Sequence, residues 1–214
     1  AAELLERADL GQGTTARFHG LLHSGGRYVV SDPQSATECA EENAILKRIQ
    51  ADAVEDTGGF FVVTPGDDPG FADKFLAGAA ATGVPAREIA VAEALRREPL
   101  LNPGILRAIE VEDGSVDGWQ LVWGAARSAQ AYGATVLTYH KVVGIERERD
   151  RVSAVLARDV KGGEDVRINC GFVLNCAGPW AGQVAALAGL HDVNVVAGRG
   201  IMVAMNHRLV NTVI

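Results

Sequence analysis

The stretch TTARFHGLLHSGGRYVVSD, residues 14–32, sets His19 and His23 four positions apart among glycines and follows them with Arg27 and Tyr28. Three chemistries use such residues: a metal site, a phosphate-cradling loop, and one wall of a pocket for a flat cofactor. A metal pair at this spacing needs a helix to bring both imidazoles to one face, but Gly20 lies between them and Gly25 and Gly26 just beyond. No nearby acidic or cysteine side chain completes a zinc shell, so metal is excluded. Each histidine then has a plain alternative as a hydrogen-bonded loop residue. Arg27 suits bidentate binding of a phosphate or carboxylate, and equally suits a structural ion pair.

A second candidate is FVLNCAGPWAG, residues 172–182, where an apolar run ends in Asn175, Cys176, Ala177 and Gly178 before Pro179 opens a helical pattern. Cofactors bind at the carboxyl ends of strands in doubly wound sheets, with an anionic group at a helix N-terminus. An ordinary strand–turn–helix junction has the same composition. Glu6 is a third candidate, since an acidic residue at a strand end holds ribose hydroxyls in dinucleotide folds. That reading needs a GxGxxG loop roughly 20 residues upstream, and this chain has no residues there. A surface carboxylate is the alternative. GRG at residues 198–200 lacks the Lys-Ser/Thr of a phosphate loop, and ERERDR at 146–151 reads as a solvated hairpin turn.

The elements that must position these residues follow from pattern. Residues Ala2 to Leu5 read as the end of a strand or an element leading into Glu6. Asp32 as cap and Pro33 at the first position start a helix over 33–53, with Ala36, Ala40, Ile45 and Ile49 as its apolar face. GGFFVVTP reads as a strand, and PGFADKFLAGAAATG as a helix closed by Gly83. VAEALRREP is a short helix stopped by Pro99, and Asp113-Gly114 marks a turn in an extended segment. Asp117 caps a helix running to about Ala131. ATVLTY, KVVGIERE, RVSAVLARD, VRINC and FVLNCAG are then expected strands, PWAGQVAALAGL a helix and IMVAMN a further strand.

With 214 residues, 48% of them hydrophobic, and 25 glycines, the chain can bury a full α/β core with many tight turns. A net charge of −7 excludes a nucleic-acid surface, which needs a basic field. No run approaches the ~20 apolar residues that span a bilayer. Cys39, Cys170 and Cys176 form no CxxC pair and read as buried free thiols of a reducing compartment. The chain begins without Met and stops in an apolar run, as an excised piece of a longer protein would.

Taken together, ERADLGQGTTARFHGLLHSGGRYVVSDPQSATECAEENAILKRI, DGSVDGWQL, TYHKVVGIERE and VLNCAGPWAGQVA resemble, in order, the FAD-dependent glycerol-3-phosphate dehydrogenases. The resemblance is nearest to the catalytic A-subunit type of the anaerobic enzyme, within the D-amino-acid-oxidase-like flavoproteins. It implies an α/β FAD/NAD(P)-binding (Rossmann-like) core, lacking its first strand and GxGxxG, with an inserted mixed α+β substrate-domain segment. The implied domains are residues 1–55 and 114–190 for FAD, 56–113 for substrate, and 191–214 as the start of a second substrate segment. Glu6 would bind the adenosine ribose. Thr14, Thr15 and Arg17 would line the pyrophosphate and flavin, Val142 would clamp the adenine through its backbone, and Cys176, Ala177 and Gly178 would approach the cofactor. Residues 23–28 would pass the flavin, their glycines bringing backbone close to the flat ring. Arg27 and Tyr28 would face the substrate, and His23 would serve as base.

The implied reaction oxidises sn-glycerol 3-phosphate to dihydroxyacetone phosphate by hydride transfer to FAD, with electrons leaving to a quinone through partner subunits. The parent protein is expected in the cytoplasm, peripheral to the inner face of the membrane, which it touches only through partners or parent regions. The fragment itself is expected not to turn over. A related FAD-dependent oxidase of 2-hydroxyglutarate type, and a non-catalytic structural or interaction fragment, are the competing readings.

Overall fold

The computed structural model describes residues 2–196, 198 and 200–214, so Arg199 of the GRG run lies outside the described residues. Along the chain, β1 (Glu3–Leu5) precedes a loop with a 3₁₀ turn at Thr14–Ala16. β2 (Leu21–Leu22) then leads through a second 3₁₀ turn, Gly26–Tyr28, into α1 (Pro33–Ile49). Next come a turn at Ala51–Ala53, β3 (Val54–Glu55), β4 (Gly59–Val63), α2 (Phe71–Thr82), β5 (Ala86–Ile89) and α3 (Val91–Arg97). β6 (Arg107–Val111), β7 (Gly114–Val116) and α4 (Gly118–Ala131) precede β8 (Thr135–Leu137), β9 (His140–Glu148), β10 (Arg151–Asp159) and β11 (Asp165–Asn169). A 3₁₀ turn at Gly178–Trp180 runs into α5 (Ala181–Ala186). The result is an α/β chain with mixed sheets, as the sequence leads one to expect. It divides into two compact units, Ala1–Arg17 with Val122–Met202 and Phe18–Leu121 with Val203–Ile214.

In the second unit β4, β6 and β5 form an antiparallel sheet with β6 in the middle. Strand alternation sends Phe61 and Val63 to one face, where they pack with Phe75, Ala79, Ala36 and Ile109 of a single cluster. Phe60 and Val62 go to the other face, against Ile89, Ala94 and Ile105. Burial on both faces explains why this strand reads as a continuous apolar run. Phe75, at 1% exposure, anchors the larger cluster. Phe75→Ala is expected to cost about 3–5 kcal/mol.

The capping signals act as read. Asp32 accepts from the Ser35 amide at 3.1 Å and from its hydroxyl at 2.6 Å, with Pro33 at the first position of α1. Gly83 ends α2 at φ +72°, and Asp117 accepts from the Trp119 and Gln120 amides at the start of α4. A second antiparallel sheet, β2-β7-β3, is built of very short strands. β6 and β7 therefore join different sheets, and the chain crosses between them at Asp113-Gly114.

The first unit pairs β1 with β8 in parallel, Leu5 opposite Leu137, and carries the antiparallel meander β9-β10-β11. ERERDR forms the β9–β10 hairpin turn, with Arg149 at φ 55°. No helix among the described residues is long and apolar enough to cross a membrane.

Five sequence expectations are corrected. FVLNCAG is not a strand: no ladder among the described residues includes it, and Phe172 and Leu174 are 80% and 77% exposed. Apolar content makes a strand only where a neighbour supplies backbone partners. IMVAMN forms no strand for the same reason. The helix expected over PWAGQVAALAGL is a 3₁₀ turn and the short α5. The buried residues of α1 are Ala36 and Asn43, with Ala40 partly buried, whereas Ile45 and Ile49 are exposed. Cys176 is exposed and Cys39 and Cys170 half-buried, so burial does not describe these thiols.

Candidate active site

The strongest cluster of polar chemistry lies in the second unit, where β2 ends and β6 crosses to β7. His23 Nδ1 lies 3.0 Å from Asp113 Oδ2. The Ser24 amide and hydroxyl both donate to Asp113 Oδ1 at 2.6 Å. The Asp113 side chain is 2% exposed and that of His23 19%. Burial by itself would raise the Asp113 carboxyl, but the hydrogen bonds from His23 and Ser24 outweigh it and hold the group below its usual range. Asp113 is therefore an anion at neutral pH. His23 Nε2 is buried and has no hydrogen-bond partner among the described residues.

Both halves of the pair are held from α1. Asn43, buried in the stripe that interrupts the helix's apolar pattern, donates through Nδ2 to the Leu22 carbonyl at 3.3 Å and the Glu112 carbonyl at 3.4 Å. Lys47 Nζ also donates to the Glu112 carbonyl, at 2.8 Å. These carbonyls sit one residue before His23 and one before Asp113. Helical spacing of i and i+4 puts Asn43 and Lys47 on one face, so a single helix fixes two chain segments 90 positions apart.

His19 packs its ring against that of His23, centroids 5.3 Å apart and edge-on. Its Nδ1 accepts from the Leu21 amide at 3.0 Å. Partial desolvation, then the neighbouring charges of His23 and Arg27, lower its pKa. On α1, the Cys39 thiol is pushed up by burial and by the charges of Glu38, Asp113 and Asp32.

Gly25 and Gly26 serve the fold here. Gly25 has φ +100°, and a Cβ there would run into the Ala36 carbonyl oxygen of α1 and lie 2.8 Å from the Val84 side chain. A Cβ on Gly26 would lie 2.9 Å from the Phe61 ring. Their bareness admits α1 and the core. Tyr28 is half-buried against the Phe75 cluster, and its carbonyl accepts from Ser31 and Asp32. Arg27 is exposed and has no carboxylate within ion-pair distance among the described residues.

The first unit holds the other expected residues. Glu6 follows β1, with its amide on the Leu137 carbonyl, its carbonyl accepting from His140 and its carboxylate accepting from the Ala8 amide at 2.8 Å. Val142 lies on β9 opposite Ala157, beside a register shift in the β9–β10 ladder. Thr14 and Thr15 are exposed in their 3₁₀ turn, and the Arg17 amide closes that turn onto the Thr14 carbonyl. Ala177 donates to Asn175 Oδ1, and Gly178 sits at φ +52° with nothing within 4 Å of where a Cβ would be. Arg7 stacks over Trp180 at 4.7 Å, and a Cβ on Gly13 would lie 3.5 Å from the same ring. The loop after Glu6 and the turn after Gly178 are thus neighbours.

Asp113 and Asn43 escaped the sequence reading. Asp113 stands in an Asp-Gly pair that signals a turn, and only a polar residue interrupting the helical pattern pointed to Asn43.

The profile of a family described as FAD dependent oxidoreductase matches residues 2–212. The chain is 42% identical, over 99% of its length, to the A1 subunit of the anaerobic glycerol-3-phosphate dehydrogenase of Haloferax volcanii. It is 39% identical, over 96% of its length, to the A subunit of the anaerobic glycerol-3-phosphate dehydrogenase of Escherichia coli strain K12. It spans only 37% and 38% of the length of these two relatives. Among solved structures, the L-proline dehydrogenase from P. horikoshii matches 88% of this chain and 50% of its own at a TM-score of 0.75 and 23% identity, a likeness of fold.

Proposed function

The chain belongs to the FAD-dependent oxidoreductase family, and from that premise we propose that it is part of a dehydrogenase oxidising sn-glycerol 3-phosphate to dihydroxyacetone phosphate. The observation that carries this reading is the identity of 42% and 39%, across almost the whole chain, to two proteins named as A-type subunits of anaerobic glycerol-3-phosphate dehydrogenases. The residues present fit FAD. The first unit offers a strand-end carboxylate at Glu6 and open backbone at Gly178. When bound, FAD supplies the two-electron hydride acceptor of the oxidation.

The chain's own residues then divide the work. Glu6 holds the ribose, Thr14, Thr15 and Arg17 follow the pyrophosphate and flavin, and Val142 meets the adenine with its backbone. Cys176, Ala177 and Gly178 let the cofactor approach main chain. Residues 1–55 and 114–190 are read as the FAD-binding part, 56–113 as the substrate part and 191–214 as the start of a second substrate segment. Arg27 is a cation free to meet the substrate phosphate, with Tyr28 beside it. His23 takes the proton of the C2 hydroxyl at Nε2, acting as general base. Partner subunits and a quinone receive the electrons, and the parent protein works in the cytoplasm against the inner face of the membrane.

The test is anaerobic mixing of the full-length, flavin-loaded protein with glycerol 3-phosphate, followed by flavin absorbance. Bleaching by glycerol 3-phosphate is expected. Bleaching by 2-hydroxyglutarate instead, or a full-length protein without flavin, would overturn the proposal.

A further inference from the structure

This inference rests on the reading of His23 as base and concerns what makes it one. An ionised carboxylate can only accept hydrogen bonds, so the proton between Asp113 Oδ2 and His23 Nδ1 belongs to the imidazole. In the neutral ring the lone pair then falls on Nε2, the atom left buried and unpartnered among the described residues. A buried nitrogen without a partner costs about 1–3 kcal/mol, so a histidine that only braced two loops would be expected to use both of its nitrogens. The carboxylate cannot swing away to release the ring, because Oδ1 takes two bonds from Ser24. Asn43 and Lys47 hold the residues immediately before each member of the pair.

We propose that Asp113 is a positioning residue of the oxidation, whose carboxylate keeps the His23 proton on Nδ1 and so presents Nε2 as the acceptor for the substrate hydroxyl proton. In the balanced step the O–H bond at C2 breaks and its proton bonds to Nε2. With FAD bound as the two-electron acceptor, the C2 hydrogen would leave with its electron pair and C2 would become a carbonyl. The imidazolium that forms keeps its Nδ1 proton on Asp113, which stays ionised throughout.

Asp113→Asn separates this role from bracing. The amide oxygen can keep both Ser24 bonds, which turns the NH₂ group toward His23 Nδ1. Nδ1 must then accept, and the ring proton moves to Nε2. In the full-length flavin-loaded protein, D113N is expected to reduce its flavin on the order of 10²–10⁴-fold more slowly, with glycerol 3-phosphate affinity and flavin content little changed. Nitrogen-15 spectra of labelled histidine should show the Nδ1–H tautomer of His23 in the wild-type protein and the Nε2–H tautomer in D113N. The wild-type spectrum alone tests the proposal if D113N fails to fold: an Nε2–H tautomer there would overturn it. H23Q distinguishes the two levels. H23Q reducing flavin at the wild-type rate would overturn the base reading and this proposal with it. Slow H23Q beside a folded D113N of wild-type rate would overturn the positioning role alone.

Discussion

The turn at residues 23–28 and the segment at 172–178 both offer small residues where a cofactor-binding reading wants bare backbone, and the structure uses them in opposite ways. In the first, each glycine faces the protein's own atoms: Gly25 meets the Ala36 carbonyl and Gly26 the Phe61 ring. Ser24, one residue earlier, is 2% exposed and bonded twice to Asp113. In the second, Gly178 faces open space, and Phe172 and Leu174 are largely uncovered. A glycine in a motif can thus be required by internal packing or by the approach of something external, and the two leave different marks. The packed turn also carries His23, and the proton-acceptor role proposed for it calls for supports that do not give. The open segment offers main chain, whose usefulness to a ligand depends on being unobstructed.

The contrast is broken most directly at Gly25. Gly25→Ala combines a left-handed backbone that opposes a side chain with a clash against α1, together about 2–6 kcal/mol. Urea unfolding should show a large loss, and a midpoint near wild type would mean that the turn is not a packing feature. Asn43→Leu comes next. It keeps the helix but removes the Asn43 bonds to the Leu22 and Glu112 carbonyls, at an expected cost of about 1–3 kcal/mol. It should also slow flavin reduction in the full-length protein, whereas unchanged kinetics with lowered stability would confine Asn43 to the fold.

Acid sharpens the comparison further. The Asp113 carboxyl titrates lower in the folded chain than in the unfolded one. Its stabilisation is therefore complete above the unfolded value of about 4 and is lost as pH falls through the lower folded value. Urea midpoints followed downward from pH 5 should fall in the wild type and fall less steeply in D113N; parallel curves would contradict the assignment. The smallest effect is expected at Gly178. With φ +52° but no neighbour in the way, Gly178→Ala should cost about 1 kcal/mol. It should weaken retention of FAD more than stability, read from the flavin content of the purified full-length protein.

Local chemistry made much of this legible. Asp32, Pro33 and Gly83 bound their helices because a cap or a positive φ is decided within a few residues. A short apolar run bounded by glycine and proline marked β4 for the same reason. FVLNCAG failed because its strand content depends on a neighbour, and composition is silent on whether one is there. Ile45 and Ile49 failed because the stripe of α1 is chosen by what it packs on, and the helix buries Asn43 to reach two carbonyls. His23 was singled out from its surroundings, but its partner was passed over because Asp-Gly signals a turn wherever it stands.

By itself, the sequence determined the helices with their caps, the class of the fold, the flavoprotein family and the residue types on offer to a cofactor and an anionic substrate. Each is set by near neighbours in the chain or by an extended match of motifs. Only the tertiary structure decided which carboxylate meets His23 and why the two glycines after Ser24 are bare. It also decided that Asn43 and Lys47 hold residues 22 and 112 in place. Those contacts join positions tens of residues apart, and their partners are selected by the packing of α1 and β6 rather than by any local preference.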